Sequence, residues 1–411
     1  MNYAAYQMLA DGLAPLQNSA RRWSDELRKT ADYLPAQPLA SAMELVSRLR
    51  LTHERPAFGI NSVKVPGPDG TEREVPVHEV PKLVRAFGTL LHFVRDDLSD
   101  AQAAALPRVL VVAPLSGHFA TLLADTVRTL LADHDVFVTD WHNARNVPLS
   151  AGRFGLDEYV EQVIEFIATV GPDTHLVAVC QPCVPTLAAV ALMAQRNHIA
   201  QPRSMTLMAG PIDCRINPTL VNKLATDKPI AWFEEKLVNH VPWQFEGAGR
   251  RVYPGYMQLT AFMSMNPDRH KQAFLDLYKN RLRGEHDKAD ASARFYDEYF
   301  AVNDLPAEFY LETVEKVFQT YDLARQVLVV NGETVDTGAI RRTALFTVEG
   351  ERDDICAIGQ TVAAHDLCPS IRPYMKNHHV QLGVGHYGVF SGRRWQQQIY
   401  PRVREMIHSF H

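Results

Sequence analysis

The feature that most constrains the fold is an alternation, in the middle of the chain, between short apolar runs and helical segments. Four apolar runs follow one another at Arg108–Ala113, Val136–Asp140, His175–Cys180 and Ser204–Met208. Runs of this kind are typical of strands that are buried on both faces of a parallel sheet. Between them lie helical patterns, of which Asp157–Ile167 is the clearest. Repeated strand–helix units predict a doubly wound α/β sheet.

Segments with a different sequence pattern precede and interrupt this alternation of strands and helices. Residues 59–95 alternate like the strands of a hairpin, while residues 211–335 are helical, aromatic and without a convincing core strand. Strand–helix units resume at Arg342–Glu349, and Val380–Val384 would be the last strand. We therefore predict three parts: an N-terminal helical extension (1–58), a core in two pieces (59–210 and 336–411) and a helical cap or lid inserted between them (211–335).

The N-terminal extension has an apolar helical face of its own. Tyr6, Leu9, Leu13 and Leu16 are spaced three or four residues apart, which places them on one side of a helix. Such a face usually packs on the body of a protein, and we predict that it does so here. The alternative is a face that binds an external surface.

Composition and charge exclude several classes of protein. Hydrophobic residues make up 46% of the 411 residues and charged residues 22%, which is enough apolar material for a large globular core. A net charge of −5 provides no basic field for nucleic acid. Five cysteines, an odd and small number, are typical of a reducing compartment. Because no segment resembles a signal peptide or reaches the about 20 apolar residues of a membrane span, we expect a cytoplasmic protein.

The most informative segment is HLVAVCQPCVPTLAA, in which a buried strand leads directly into a turn and a helix. Enzymes of the α/β-hydrolase fold place their nucleophile in such a turn, with small residues two positions before and after it, because strand and helix pack closely there. Cys180 has Ala178 at the first of these positions, whereas Cys183 has the bulky Gln181. Pro182 stands where the pattern has glycine. We therefore predict an α/β-hydrolase fold in which Cys180 is the favoured nucleophile and Cys183 the alternative.

Two other interpretations of these cysteines remain open. The segment Cys180-Gln181-Pro182-Cys183 has the spacing of a thioredoxin-type redox pair, although that motif normally opens a helix in a much shorter chain. Both thiols could also simply be buried. Pro185 is a further complication, because we expect a proline at this place to delay the start of the helix.

In α/β-hydrolases the acid and the histidine follow the nucleophile in that order. The resumed strand RTALFTVEG ends just before Asp353 and Asp354, where a carboxylate is placed to orient a histidine. Asp353 is the first choice because of its spacing from the glycine that ends the strand, and Asp354 is the alternative. His386 lies in a Gly-His-Tyr-Gly loop whose glycines allow a close approach to the nucleophile. His378 and His379 precede the last predicted strand and suit the role less well.

Backbone N–H groups would stabilise the oxyanion that forms during acyl transfer. One is expected from Gln181, the residue after the nucleophile. The second should come from the loop after the first buried strand, and we choose Ser116, with Leu115 and Gly117 as its neighbours. We predict no metal site, because the paired histidines have no third ligand at usable spacing.

Several stretches resemble the intracellular poly(3-hydroxybutyrate) depolymerases, a family related to the polyhydroxyalkanoate synthases. The resemblance covers roughly residues 50–411 and includes VLVVAPLSGHFATLLADTV, HLVAVCQPCVPTLAAVALMA, PGYMQLTAFMSMNPDRH and GVGHYGVFSGRRW. It is specific, because the Val-Cys-Gln-Pro turn is unusual. It implies a Cys-Asp-His triad carried by Cys180, Asp353 (or Asp354) and His386, since the family's cysteine is the one before Gln-Pro.

The resemblance further implies an enzyme that cleaves the ester bonds of a storage polyester, through an acyl-enzyme that water or coenzyme A releases. Its expected partners are polyester oligomers or the surface of polyester granules in the cytoplasm. The sequence itself contains no P-loop or glycine-rich dinucleotide fingerprint, so we predict no bound nucleotide cofactor. The alternatives are a synthase-like acyltransferase and a non-catalytic granule protein. Aromatic residues of the cap, such as Tyr256 and Phe262, would either line a polymer groove or only pack the cap on the body.

Overall fold

The computed structural model describes residues 3–29, 36–66, 71–265 and 267–411. Its helices are α1 (Tyr3–Lys29), α2 (Ala36–Arg48), α3 (Asp100–Ala104), α4 (Ala124–Leu130), α5 (Leu156–Val170), α6 (Cys183–Gln195), α7 (Leu220–Thr226), α8 (Ile230–Leu237), α9 (Gly255–Met265), α10 (Pro267–Leu282), α11 (His286–Tyr299), α12 (Ala307–Thr313), α13 (Ala364–Leu367), α14 (Gly392–Arg394) and α15 (Tyr400–Ser409). Across these ranges, none of the helices combines the length and the apolar character that crossing a bilayer requires.

The strands are β1 (Ser62–Pro66), β2 (Glu72–Val84), β3 (Gly88–Arg95), β4 (Arg108–Val112), β5 (Asp135–Trp141), β6 (His175–Val179), β7 (Ser204–Met208), β8 (Asn239–His240), β9 (Arg251–Tyr253), β10 (Leu305–Pro306), β11 (Val329–Val330), β12 (Glu333–Thr334), β13 (Ala344–Gly350) and β14 (Lys376–Gln381). Nine of them form one mixed sheet in the order β1-β2-β3-β5-β4-β6-β7-β13-β14. In this order, the neighbouring strands β1–β2, β2–β3 and β3–β5 pair antiparallel. The remaining five pairs, from β5–β4 to β13–β14, are parallel. With helices between the parallel strands, this is the predicted α/β-hydrolase fold.

The parallel strands are continuous apolar runs because both of their faces are covered. Every residue of β6, β7 and β13 is buried. Helix α5 presents Tyr159, Val163 and Ile167 to the core, while α6 is buried on nearly all sides. Since the carboxyl ends of parallel strands lie at one edge of the sheet, the residues that follow β4, β6, β13 and β14 converge there.

The last strand lies earlier than the sequence pattern predicts. It spans Lys376–Gln381 instead of Val380–Val384, so that His378 and His379 belong to the strand and do not precede it. β14 is the edge of the sheet, pairs only with β13 and is mostly half-exposed. An edge strand of this kind tolerates polar side chains, and its position is therefore poorly marked by hydrophobicity.

Helix α6 begins earlier than predicted. It starts at Cys183, and Pro185 is its third residue. The N–H groups of the first helical turn have no partner within the helix, so a proline there removes no hydrogen bond. The expectation that Pro185 delays the helix is therefore wrong.

Helices α7 to α12 lie between β7 and β13, together with short strands that do not join the central sheet. At the N-terminus, α1 and α2 pack on each other, and α2 also packs on α10. Tyr6 is buried, but Leu9, Leu13 and Leu16 are 54%, 43% and 68% exposed. The prediction that this face packs on the body is therefore wrong for the three leucines. Helix α1 instead docks through Tyr3 and Tyr6, which lie one helical turn apart.

Candidate active site

Cys180 lies in the turn between β6 and α6, one residue past the end of the strand. Its φ of +68° is a left-handed conformation that residues with a side chain rarely adopt. The Cys180 N–H donates to the Met208 carbonyl at 2.8 Å, and the Cys180 carbonyl accepts the Cys183 N–H at 3.1 Å. Such a sharp, strained turn is the geometry in which α/β-hydrolases present a nucleophile. The Cys180 side chain is half-buried and lines a cavity.

Cys183 has a different environment. It is fully buried, its thiol donates to the Ala178 carbonyl at 3.4 Å, and burial raises its pKa well above the usual range. A Cβ added to Gly210 would lie 2.2 Å from the Cys183 Cβ, so the chain after β7 presses directly on the start of α6. The close packing that the turn requires is thus made by Ala178 and Gly210. Pro182, which replaces the usual glycine, is the N-cap residue of α6.

Asp353 and His386 come together from the loops after β13 and β14. His386 Nδ1 lies 2.8 Å from Asp353 Oδ2, and both residues are buried. Asp353 Oδ1 accepts the N–H groups of Ile355 and Cys356 at 2.9 and 2.8 Å, which fixes the carboxylate in place. With Nδ1 donating to Asp353, Nε2 is the nitrogen of His386 that remains free to act on Cys180, which lines the same cavity.

The pKa of the His386 imidazole is set by opposing influences. Burial disfavours the charged ring and lowers its pKa, whereas Asp353, through its charge and its hydrogen bond, and the neighbouring Cys180 raise it. The net result is a pKa well above the usual value of 6.5. A ring with a raised pKa is a stronger base, which suits the acceptance of a proton from a neighbouring thiol.

Asp354 does not take part in the hydrogen bond between Asp353 and the imidazole. It is exposed and lines a second cavity, of about 600 Å³, which we call the side cavity. A carboxylate that sequence reasoning missed lies nearby: Glu349 is fully buried and accepts the N–H groups of Gly359 and Thr361 at 3.0 and 2.8 Å. It thereby anchors the loop after Asp353. A charged residue within an otherwise apolar strand was the available signal.

The candidate oxyanion residues flank Cys180. Gln181 and Ser116 line the same cavity as Cys180. The Leu115 N–H already donates to the Gln181 side-chain oxygen at 3.2 Å, which ties the loop after β4 to the turn after β6. Because that donor is engaged, Leu115 is a poorer candidate than Ser116 for the second oxyanion donor.

Cys180 and His386 open into a cavity of about 470 Å³, which we call the apolar cavity. The helical region supplies most of its walls, including the aromatic side chains of Trp232, Phe233, Tyr253, Phe309, Tyr310 and Phe318. Phe262 lines both cavities, whereas Tyr256 lies outside them and stacks on Tyr6 with ring centroids 3.8 Å apart. In the part of the chain that the structure describes, no group of three or more His, Cys, Asp or Glu side chains could hold a metal ion.

His118 is a second buried histidine at the apolar cavity, and sequence reasoning did not single it out. Its ring stacks on Phe262 and Tyr299, with centroids 6.0 and 5.0 Å away. Burial lowers its pKa to about 4, so the ring is neutral at physiological pH. Its position directly after the oxyanion loop was the only signal in the sequence.

Comparisons with known proteins bear on this geometry. Residues 209–411 match the family model described as PHB de-polymerase C-terminus, and this stretch contains both Asp353 and His386. No curated protein sequence matches the chain.

Solved structures give more distant similarities. They include a hypothetical protein from Pseudomonas aeruginosa (12% identity over 88% of this chain and 99% of that one, TM-score 0.47). Others are a monoacylglycerol lipase from Paleococcus ferrophilus (11% identity, 74% and 95%, TM-score 0.43) and naproxen esterase from Bacillus subtilis (11% identity, 82% and 92%, TM-score 0.40). Residues 209–411 thus match the C-terminal region of the PHB depolymerases, and the fold of the chain is that of the α/β-hydrolases, which together support an ester-hydrolysing enzyme.

Proposed function

We propose that this chain is an intracellular depolymerase that cleaves the ester bonds of poly(3-hydroxybutyrate)-type storage polyester. Cys180 is the nucleophile, His386 the general base, and Asp353 the acid that orients it. The observation that carries the proposal is the hydrogen bond between Asp353 and His386, together with the position of His386 and Cys180 on the wall of the same apolar cavity. An uncharged polyester suits walls made mostly of apolar side chains, and the family match supports the same substrate class.

In the first half of the reaction, His386 Nε2 takes the proton of the Cys180 thiol, and the thiolate attacks an ester carbonyl. The N–H groups of Gln181 and Ser116 hold the negative oxygen of the tetrahedral intermediate. When the intermediate collapses, the carbon–oxygen bond to the alcohol breaks. The departing alkoxide takes the proton from His386, which leaves an acyl thioester on Cys180.

In the second half, an acceptor attacks the thioester and gives its proton to His386. Water would yield a free 3-hydroxy acid end, and the thiol of coenzyme A would yield a new thioester. Cys180 leaves as a thiolate and recovers its proton from His386. Both routes use the same residues, so the acceptor must be identified from the products.

Amorphous polyester granules provide the decisive test. We expect the purified protein to release soluble 3-hydroxyacyl products and to bind the granules, as a cytoplasmic granule enzyme would. The variant Cys180→Ala should lower the rate of release at least about 10³-fold, because a triad without its nucleophile loses nearly all of its chemistry. Parallel reactions with and without coenzyme A, analysed for free acid and thioester, identify the acceptor.

Cys183→Ala is the matched control, since Cys183 lies in the same turn but donates its thiol to a backbone carbonyl. It should retain most of its activity per folded molecule. Degradation by Cys180→Ala, or loss of degradation in Cys183→Ala alone, would contradict the assignment of the nucleophile. Chain growth from monomer thioesters would favour a synthase-like acyltransferase instead.

A further inference from the structure

The side cavity adjoins the apolar cavity, and the mechanism above makes no use of it. The two cavities share three wall residues, Phe262, Ile355 and Tyr387. Beyond these, the side cavity extends between α10 and α11, where its wall includes Ala273 and Ala291. Its volume of about 600 Å³ exceeds the 470 Å³ of the apolar cavity. Both volumes fall within the range of sites that hold organic ligands.

The side cavity reaches the neighbourhood of the imidazole through Tyr387, whose ring centroid lies 5.8 Å from that of His386. Its wall includes the chain neighbours of the acid and the base: Asp354 and Ile355 follow Asp353, and Tyr387 follows His386. The candidate oxyanion residues, by contrast, line only the apolar cavity. The apolar cavity therefore holds the sulfur, the imidazole and the candidate oxyanion residues, and the side cavity adjoins it at the residues that follow the acid and the base.

The chemistry of acyl transfer determines which part of an ester occupies each side. The imidazolium must pass its proton to the departing alkoxide, so the alcohol part has to lie next to the imidazole. The acyl part stays on the sulfur, and its carbonyl oxygen has to meet the oxyanion donors. An ester bound at Cys180 thus directs its acyl part into the apolar cavity and its alcohol part toward the side cavity.

The polarity of the two cavities agrees with this direction. The side cavity is lined in part by polar side chains, namely those of His270, Ser292, Asp354 and Ser391. The released alcohol acquires a hydroxyl group, and burying a hydroxyl group costs less free energy beside polar side chains than beside apolar ones. The acyl part acquires no new polar group while it is bound.

We propose that the side cavity binds the alcohol part of the substrate, so that one polyester strand passes Phe262 and Tyr387 and is held on both sides of the bond that is cleaved. The identity of the ester rests on the proposed function, but the placement of its alcohol part does not. In this arrangement α10 and α11 determine how strongly the enzyme selects for the length of the alcohol part.

A pair of substrates with the same 3-hydroxybutyryl acyl group tests this proposal. One is the methyl ester, and the other carries a hydroxybutyrate dimer as its alcohol. Ala291→Trp places an indole in the side cavity, and it should lower the ratio of kcat/KM for the dimer ester to that for the methyl ester at least about tenfold. Because the ratio is taken within one variant, a fraction of misfolded protein does not affect it.

Two further variants complete the design. Arg294→Trp introduces the same side chain at an exposed position of α11 outside the cavity lining, and it should leave the ratio unchanged. Ala225→Trp fills the apolar cavity instead. It should change the selectivity for the length of the acyl part and spare the selectivity for the alcohol part.

An unchanged ratio in Ala291→Trp would overturn the proposal. The proposal would also fail if Ala291→Trp lost the selectivity for acyl length and Ala225→Trp kept it, because the two cavities would then have the opposite roles. If the wild-type enzyme shows the expected selectivity on simple esters but leaves the polyester intact, the proposed function fails while the placement of the alcohol part stands.

Discussion

The residues of the proposed active site are held by local backbone geometry at the central sheet, whereas the helical region is held in place by side chains that are distant in sequence. Cys180 is fixed by the hydrogen bonds of its own turn, and Asp353 by N–H groups two and three residues further on. In the helical region, Asp304 accepts a hydrogen bond from the hydroxyl of Tyr3, 301 residues earlier. The reacting groups thus belong to the sheet, and the cavity walls depend on tertiary packing.

This difference suggests a division of labour. The sheet carries the steps that every ester undergoes, and the helical region selects among esters. A substitution at the sheet should therefore slow all substrates by the same factor. A substitution in the cavity wall should change the ratio of the kcat/KM values for different substrates. A substitution in the N-terminal anchor, the contact between Tyr3 and Asp304, should change stability alone.

The largest effect is expected at Asp353. Asp353→Asn keeps the shape of the side chain but removes the charge that raises the pKa of His386, so the imidazole should lose its proton at a lower pH than in the wild type. We expect kcat/KM to fall about 10³- to 10⁴-fold, equally for soluble esters and for polymer. Ester hydrolysis and an NMR titration of the His386 ring measure the two effects.

Asp354→Asn is the matched control for this prediction. Asp354 is exposed and lies outside the hydrogen-bonded pair of Asp353 and His386, so its substitution should change kcat/KM by no more than about threefold. A greater loss in Asp354→Asn than in Asp353→Asn would show that the neighbouring carboxylate orients His386. Unequal losses on soluble and polymeric substrates would contradict the division between sheet and helical region.

A smaller and selective effect is expected at Phe262, which lines both cavities. Phe262→Ala should lower the ratio of polymer to short-ester hydrolysis about tenfold, because the ring contributes contact area to a long strand only. Tyr256→Ala is the comparison: its ring stacks on Tyr6 outside the cavities, so it should lower the melting temperature and leave the ratio unchanged. The reverse outcome would place the polymer against Tyr256.

The contrast between the two regions also explains what the sequence could predict. Strands β4 to β7 are short apolar runs between helical patterns, and such local signals were sufficient for the fold. The order of Cys180, Asp353 and His386 at strand ends predicted a pair, Asp353 and His386, that is hydrogen-bonded in the structure, and a cysteine that lines the same cavity as His386. Their catalytic roles remain predictions.

Features that depend on long-range packing could not be predicted. Helical periodicity placed Leu9, Leu13 and Leu16 on one face but could not predict which side of α1 docks on the protein. That side is set by Tyr3 and its hydrogen-bond partner Asp304, which is distant in sequence. The side cavity arises between helices that periodicity describes only singly. Glu349 acts through the N–H groups of a later loop, a pairing that no spacing rule anticipates.

The smallest effect on catalysis is expected at the N-terminal anchor. The Asp304 carboxylate is fully buried, and it accepts hydrogen bonds from the Tyr3 hydroxyl and from the Gly255 N–H, the latter at 2.8 Å. Burial raises the pKa of Asp304, and the hydrogen bond from Tyr3 lowers it in part. Because Gly255 begins α9, which also carries Phe262, this anchor supports the cavity wall without reaching the substrate.

Tyr3→Phe should lower the free energy of unfolding by about 1–3 kcal/mol, since a buried carboxylate loses a donor, and should leave kcat/KM per folded molecule unchanged. A carboxyl group whose pKa is raised on folding destabilises the folded state increasingly as pH rises above its ordinary value of 3.8. Losing the hydroxyl raises that pKa further, so the deficit in unfolding free energy should grow with pH in urea titrations.

Tyr6→Phe is the control. Its hydroxyl pairs with His53, which burial keeps neutral with a pKa of about 3, so its deficit should not depend on pH. A deficit in Tyr3→Phe that is independent of pH would mean that Asp304 stays protonated, and a loss of activity would mean that the anchor does more than support the fold.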